Sequence, residues 1–203
     1  MLIIHFGHSC LLVDTGEARL LFDPGTFSTG FELVEELDAI LITHDHPDHV
    51  DTGKLPSLRA ANPGARLIAP FDLEGAEIVK PGDSLDIKNT AVNVVNAPHE
   101  VIHPTIERPL NVGYLVDHGA FYHPGDSLTV PDQRIDILGL PTAAPWMKVS
   151  DAVDFLAKVG PRKAVPIHEA ILAKTELFYR VLKGTAPEGV DVVVLPRGEA
   201  IEL

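Results

Sequence analysis

The chain has 203 residues, 16 Lys+Arg against 29 Asp+Glu for a formal charge of −13, and one cysteine. That length supports a single domain over residues 1–203 that buries roughly 70% of its unfolded surface without a disulfide, and the lone Cys10 points to a reducing, cytoplasmic setting. The acidic balance argues against nucleic acid as a partner, no apolar run reaches the roughly 20 residues of a membrane span, and the opening Met1-Leu2-Ile3-Ile4-His5 lacks a secretory leader's basic and apolar regions.

Short apolar runs at 2–6, 9–13 and 20–22, separated by turn residues such as Thr15-Gly16-Glu17, predict three strands before Asp23-Pro24-Gly25. A short helix is expected at 31–37. Residues 38–43 form a continuous apolar run of the buried-strand type that ends at His44. Residues 55–61 read as a helix opening around Pro56 and closing before Asn62-Pro63-Gly64, and 65–69 as a strand. Strands follow at 77–80, 85–87, 91–96, 112–116, 120–122 and 135–138. Ser150 is the expected N-cap of a helix over 151–159, with Val153, Phe155, Leu156 and Val159 on one side. A strand at 163–167, a helix at 174–182 and a strand at 190–195 complete the order. The 17 prolines and 16 glycines are spread evenly, which indicates many tight turns and no linker.

The densest chemistry is Thr43-His44-Asp45-His46-Pro47-Asp48-His49, directly after a buried strand. Alternate residues of an extended exit project to one side, so His44 and His46 converge on one cation. Asp48 and His49 continue past it and serve a second cation about 3.5–4 Å away, the separation typical of two-metal hydrolytic sites. Asp45 and Pro47 alternate away, which makes Asp45 a solvent-facing or supporting residue. Imidazole and carboxylate donors without thiolate suit Zn2+, the expected ion, with Mn2+, Fe2+ or Ni2+ compatible.

With these residues the chain resembles the metallo-β-lactamase superfamily, whose signature is His-x-His-x-Asp-His at a strand end. His5-Phe6-Gly7-His8-Ser9-Cys10, Phe22-Asp23-Pro24 and Tyr122-His123-Pro124-Gly125-Asp126 resemble the branch containing ascorbate-6-phosphate lactonase-like hydrolases. The resemblance implies an α/β (α+β) four-layer αββα sandwich with its site along one edge of the two sheets. It also implies three further ligands. His99 would complete the first site with His44 and His46, Asp126 would bridge the two metals, and His168 would join Asp48 and His49 on the second. His103 competes with His99, and the family spacing favours His99. That leaves His103 as a pocket residue or an exposed loop histidine. For His5 and His8 the primary reading is a core histidine bonded to backbone, with a ligand-orienting role as the alternative for His8. His118 is expected at the surface and His123 in a structural role.

A hydroxide bridging two divalent ions would then attack a carbonyl or phosphorus centre of a small-molecule substrate such as a lactone, ester or phosphodiester. Asp48 would orient that water or shuttle its proton, and Asp126 would share in the catalytic centre. In the loop that leads toward the site in this family, Trp146 is an apolar wall or a core cap, and Lys148 is a contact for an anionic substrate or a solvated residue. Arg108 is a further candidate for such an anionic group. Mononuclear iron dioxygenase chemistry on the same fold is the alternative from another class, and phosphodiesterase or nuclease activity is a further one. Homo-oligomerisation stays open.

Overall fold

Period-two burial along the first strands sets how the layers stack. In β2 (Cys10–Asp14) Leu11 and Val13 face one core and Leu12 another, and β3 (Arg19–Phe22) repeats this with Leu20 and Phe22 against Leu21. The protein, described over residues 1–203 by a computed structural model, consists of two seven-stranded sheets packed on each other through the first of these cores.

The first sheet adds β1 (Leu2–Gly7), β4 (Ala39–Leu41), β5 (Arg66–Ala69), β6 (Glu77–Ile78) and the closing β14 (Ala200–Glu202), in the order β14-β1-β2-β3-β4-β5-β6. The second holds β7 (Ser84–Ile87), β8 (Thr90–Val95), β9 (Gly113–Val116), β10 (Phe121–His123), β11 (Ile137–Pro141), β12 (Lys163–Ile167) and β13 (Asp191–Val192), in the order β13-β12-β11-β10-β9-β8-β7. Leu20, Phe22 and Leu41 of one sheet meet Val94, Tyr114, Phe121 and Ile137 of the other in the central core. Outside the first sheet, α1 (Leu55–Ala61) lays Leu55 and Leu58 on Leu21 and Ile40. Outside the second, α2 (Val149–Val159) and α3 (Thr175–Thr185) cover Tyr122, Leu138 and Leu140 through Phe155, Leu156 and Leu182. The result is the expected four-layer αββα sandwich.

Several elements differ from expectation. The helix predicted over 31–37 is a single 3-10 turn, Phe31–Leu33. The Asn62 side chain accepts from Leu37 N at 2.9 Å and donates to Val34 O at 2.7 Å, satisfying groups a continuing helix would have used. The strand predicted over 190–195 stops at Val192, because Pro166 on the facing side of β12 has no N–H to continue the ladder. The expected cap Ser150 lies inside α2. Lys148 is the N-cap, and its backbone N donates to Asp151 Oδ2 at 2.6 Å. Strand β14, which covers the edge of β1, was not anticipated from its short Ala-Ile-Glu.

Candidate metal centre

Strand ends deliver the chemistry to one edge of the sandwich. Beyond β4 the chain runs through Thr43 to His49. Asp23 follows β3, His99 follows β8, Asp126 follows β10, His168 follows β12, and His8 sits in the turn between β1 and β2. Asp23, His8 and His168 take positive φ values of 45°, 51° and 61°, a left-handed conformation that costs a non-glycine residue energy and turns each side chain back at the strand end. Gly25 is required here, since a Cβ on it would sit 1.8 Å from Asp48 O. Gly125, at φ +61°, lets the loop before Asp126 close over Thr43 and Asn111.

Two groups of donors result. In the first, the ligating atoms of His44, His46, His99 and Asp126 all lie within 4.8 Å of one another, and in the second those of His8, Asp48, His49 and His168 do the same. Asp126 links them. Its Oδ1 is 3.1 Å from His49 Nε2 and 3.2 Å from His168 Nε2, while its Oδ2 is 3.4 Å from His99 Nε2.

Hydrogen bonds behind the rings fix which nitrogen faces inward. His49 Nδ1 donates to Asp23 Oδ2 at 2.7 Å, His99 Nδ1 to Glu100 O at 2.6 Å, and His168 Nδ1 to Ala143 O at 2.6 Å. Thr43 Oγ1 donates to Asp23 Oδ2 at 2.7 Å and so accepts from His44 Nδ1 at 3.0 Å. Each of these four rings therefore turns its Nε2 toward the centre. Those of His49, His99 and His168, together with Asp126 Oδ1, are buried with no hydrogen-bond partner. Buried polar atoms left without partners and facing one another are costly unless a cation satisfies them, so this donor set fits divalent metal.

The electrostatics agree. Burial opposes charge on His49, but the Asp126 and Asp23 carboxylates outweigh it and hold its pKa well above the usual value; Asp126 also raises that of His168 against its burial. Burial would raise the Asp126 carboxyl, and the facing His168 and His49 instead hold it well below the normal range. Asp48 is taken down to about 2, against its burial, by the hydrogen bond from His8 and the nearby His49. Burial pushes His44 well down. The centre thus carries carboxylate charge that a cation neutralises.

All seven residues of the expected ligand set converge, whereas the substrate candidates scatter. Trp146 leans over the centre, its Nε1 donating to Asp126 Oδ2 at 3.0 Å and its ring 6.1 Å from that of His99. Arg108 Nε donates to the carbonyl of His99, bracing a donor residue from behind. His103 is exposed, pairs with Thr105 and belongs to neither donor group. The Lys148 side chain is exposed at the start of α2. Asp45 and His118 are exposed, and His5 and His123 are buried with backbone partners, as expected. His8 departs from its primary reading, because its Nε2 is 3.0 Å from Asp48 Oδ2.

Two supporting residues had no role in the sequence reading. Asp23 anchors Thr43 and His49 together. Asn111 donates to Ala97 O and Pro124 O and accepts from Asp126 N, joining the loops of His99 and Asp126. The signal for Asp23 was a carboxylate followed by Pro-Gly at the end of an apolar strand. A lone asparagine offered none.

Comparison with known proteins is consistent with this geometry. A family model described as "Beta-lactamase superfamily domain" matches residues 2–168. The protein Rv0786c of Mycobacterium tuberculosis is 47% identical over 213 residues, covering 99% of both chains. A UPF0173 metal-dependent hydrolase of Thermoplasma acidophilum is 30% identical over 227 residues, covering 99% of this chain and 98% of that protein. Among solved structures, the metallo hydrolase Igni18 of the archaeon Ignicoccus hospitalis superposes with a TM-score of 0.75 at 20% identity, over 98% of this chain and 97% of that one. No helix of the structure is long and apolar enough to cross a membrane.

Proposed function

The chain belongs to the beta-lactamase superfamily and is a metal-dependent hydrolase, and from that premise we propose that it cleaves a carbonyl- or phosphorus-centred bond of a small substrate at a centre of two divalent ions. The observation that carries the two-ion reading is Asp126, whose two oxygens face different donor groups. His44, His46 and His99 would hold the first ion, and Asp48, His49 and His168 the second. Zn2+ is the ion these donors suit best, with Mn2+, Fe2+ and Ni2+ compatible. Such ions lower the pKa of water from 15.7 toward about 7 and polarise the bond under attack.

The chain's own groups do the rest. Asp48, partly exposed at the mouth, orients the attacking water and accepts its proton at Oδ1, the oxygen free of His8. Trp146 holds Asp126 Oδ2 and, with its ring near both His99 and His168, excludes bulk water from one side. Arg108, His103 and Lys148 supply exposed polar and cationic groups on the 99–111 and 145–148 loops, which suit a substrate with an anionic group.

Plasma mass spectrometry on the native protein, with Asp48→Ala and His99→Ala, tests the reading alongside a hydrolysis screen of lactones and bis-p-nitrophenyl phosphate. About two ions per chain, reduced in both variants, with metal-dependent hydrolysis is the expected result. One iron per chain without hydrolysis would favour oxygenase chemistry, and no metal under any loading would refute the two-ion centre.

A further inference from the structure

His8 lies outside the seven donors of the motif, and the structure anchors it unusually firmly. Its left-handed turn, φ 51°, is held from three directions: Glu169 Oε1 accepts from His8 N at 3.2 Å, and His8 O accepts from His168 N at 3.1 Å and from His5 Nε2 at 2.9 Å. Arg197 in turn holds the buried Glu169. Glu169 and Arg197 both lie beyond the residues 2–168 that the family model matches. The His8 ring is fully buried, edge-on to Phe27 at 5.2 Å and 4.0 Å from the ring of His168.

Proton accounting separates His8 from the rings beside it. His49 and His168 donate through Nδ1 and turn Nε2 toward the centre. His8 is reversed, because its Nε2 faces the Asp48 carboxylate, an acceptor, at 3.0 Å, while its Nδ1 has no partner. Nε2 therefore carries the proton, and His8 acts as a donor to Asp48. Asp48 needs such a donor: no other side chain hydrogen-bonds it, it is the most exposed member of its group, and its Oδ2 must stay 3.6 Å from His168 Nε2 and 3.9 Å from His49 Nε2 to share a cation with them.

We propose that His8 is a positioning residue that clamps Asp48 Oδ2 in the second ion site, and that Glu169, held by Arg197, locks His8 in place. The proposal rests on the two-ion reading. Cobalt(II) titration of the metal-free protein, followed by absorption and calorimetry, tests both. The parent takes up two equivalents in two steps; saturation below two equivalents would refute the two-ion reading before any variant is compared. With two steps in the parent, His8→Leu weakens the second by about 10- to 100-fold and leaves the first unchanged, the effect expected of a lost outer partner. His8→Gln, whose amide N–H reaches Asp48, recovers most of the loss. A parental second step in His8→Leu, equal weakening of both steps, or a His8→Gln as weak as His8→Leu overturns the proposal. If His8→Leu does not fold, His8→Asn, whose amide stops short of Asp48, replaces it in the comparison with His8→Gln under the same criteria.

Discussion

The first donor group takes His44 and His46 from one three-residue run, whereas the second reaches from His8 near one end of the chain to His168 near the other. The first is half assembled as soon as β4 and its exit form. The second requires the β1–β2 turn, the β4 exit and the end of β12 to meet, which draws on both sheets and on left-handed conformations at His8 and His168. A locally built site tolerates distant change, and one assembled from remote segments depends on everything that holds those segments in register.

The largest expected effect breaks the comparison altogether. Asp126→Ala removes the one carboxylate that faces both groups, so on the proposed two-ion reading metal content falls from two ions toward none and hydrolysis drops by more than about 100-fold. Retention of one tightly held ion in that variant would show the two groups to be independent. His99→Ala and His168→Ala sharpen the contrast by one ion each: the first loses the first-group ion, the second the other. Cobalt spectra of the two variants should differ, and identical spectra would mean one ion serves all the donors.

Outer support comes next. Asp23→Asn keeps the shape of a fully buried residue but weakens the acceptor for His49 Nδ1 and Thr43 Oγ1, and metal affinity falls by about 10- to 100-fold in competition with a chelator. Acid should then act on the support of the second group. Burial, then Arg197, lowers the pKa of His5 from 6.5 to about 3, so the unfolded chain binds this proton more readily than the folded one. The stability His5 contributes is full above 6.5 and is lost as pH falls from 6.5 toward about 3. Calorimetry of the metal-free protein should show Tm falling across that window, and His5→Gln, which cannot titrate, should have a flatter profile. An identical profile would remove His5 from the account. Trp146→Phe is the smallest change. It keeps an aromatic wall and removes the N–H to Asp126 Oδ2, weakening metal binding about tenfold or less.

Local density made part of the centre legible. Four ligand-type residues in six positions after an apolar run mark His44, His46, Asp48 and His49 without any structure. His99, Asp126 and His168 are single residues at strand ends, identifiable only through the family pattern. His8 and Asp23 were hidden because a histidine before serine, or an aspartate before proline, has an ordinary structural explanation. Their roles depend on what faces them across 40 residues in one case and 26 in the other.

The fold divides similarly. Alternation in β2 and β3, the apolar run of β4 and the amphipathic 151–159 helix are local periodicities, so these strands and this helix could be read from the chain, whereas the four-layer stacking was expected only through the family resemblance. The 31–37 segment failed to become a helix because Asn62 took its hydrogen bonds, β13 ended early because Pro166 opposed it, and β14 exists because the edge of β1 was open to it. By itself, the sequence determined most of the succession of strands and helices and the core of the ligand motif, since periodicity and residue type act over a few neighbours. Only the tertiary structure decided which strand ends meet, which ring nitrogen faces inward and which outer residues hold the carboxylates, because those depend on hydrogen-bond partners far away in the chain.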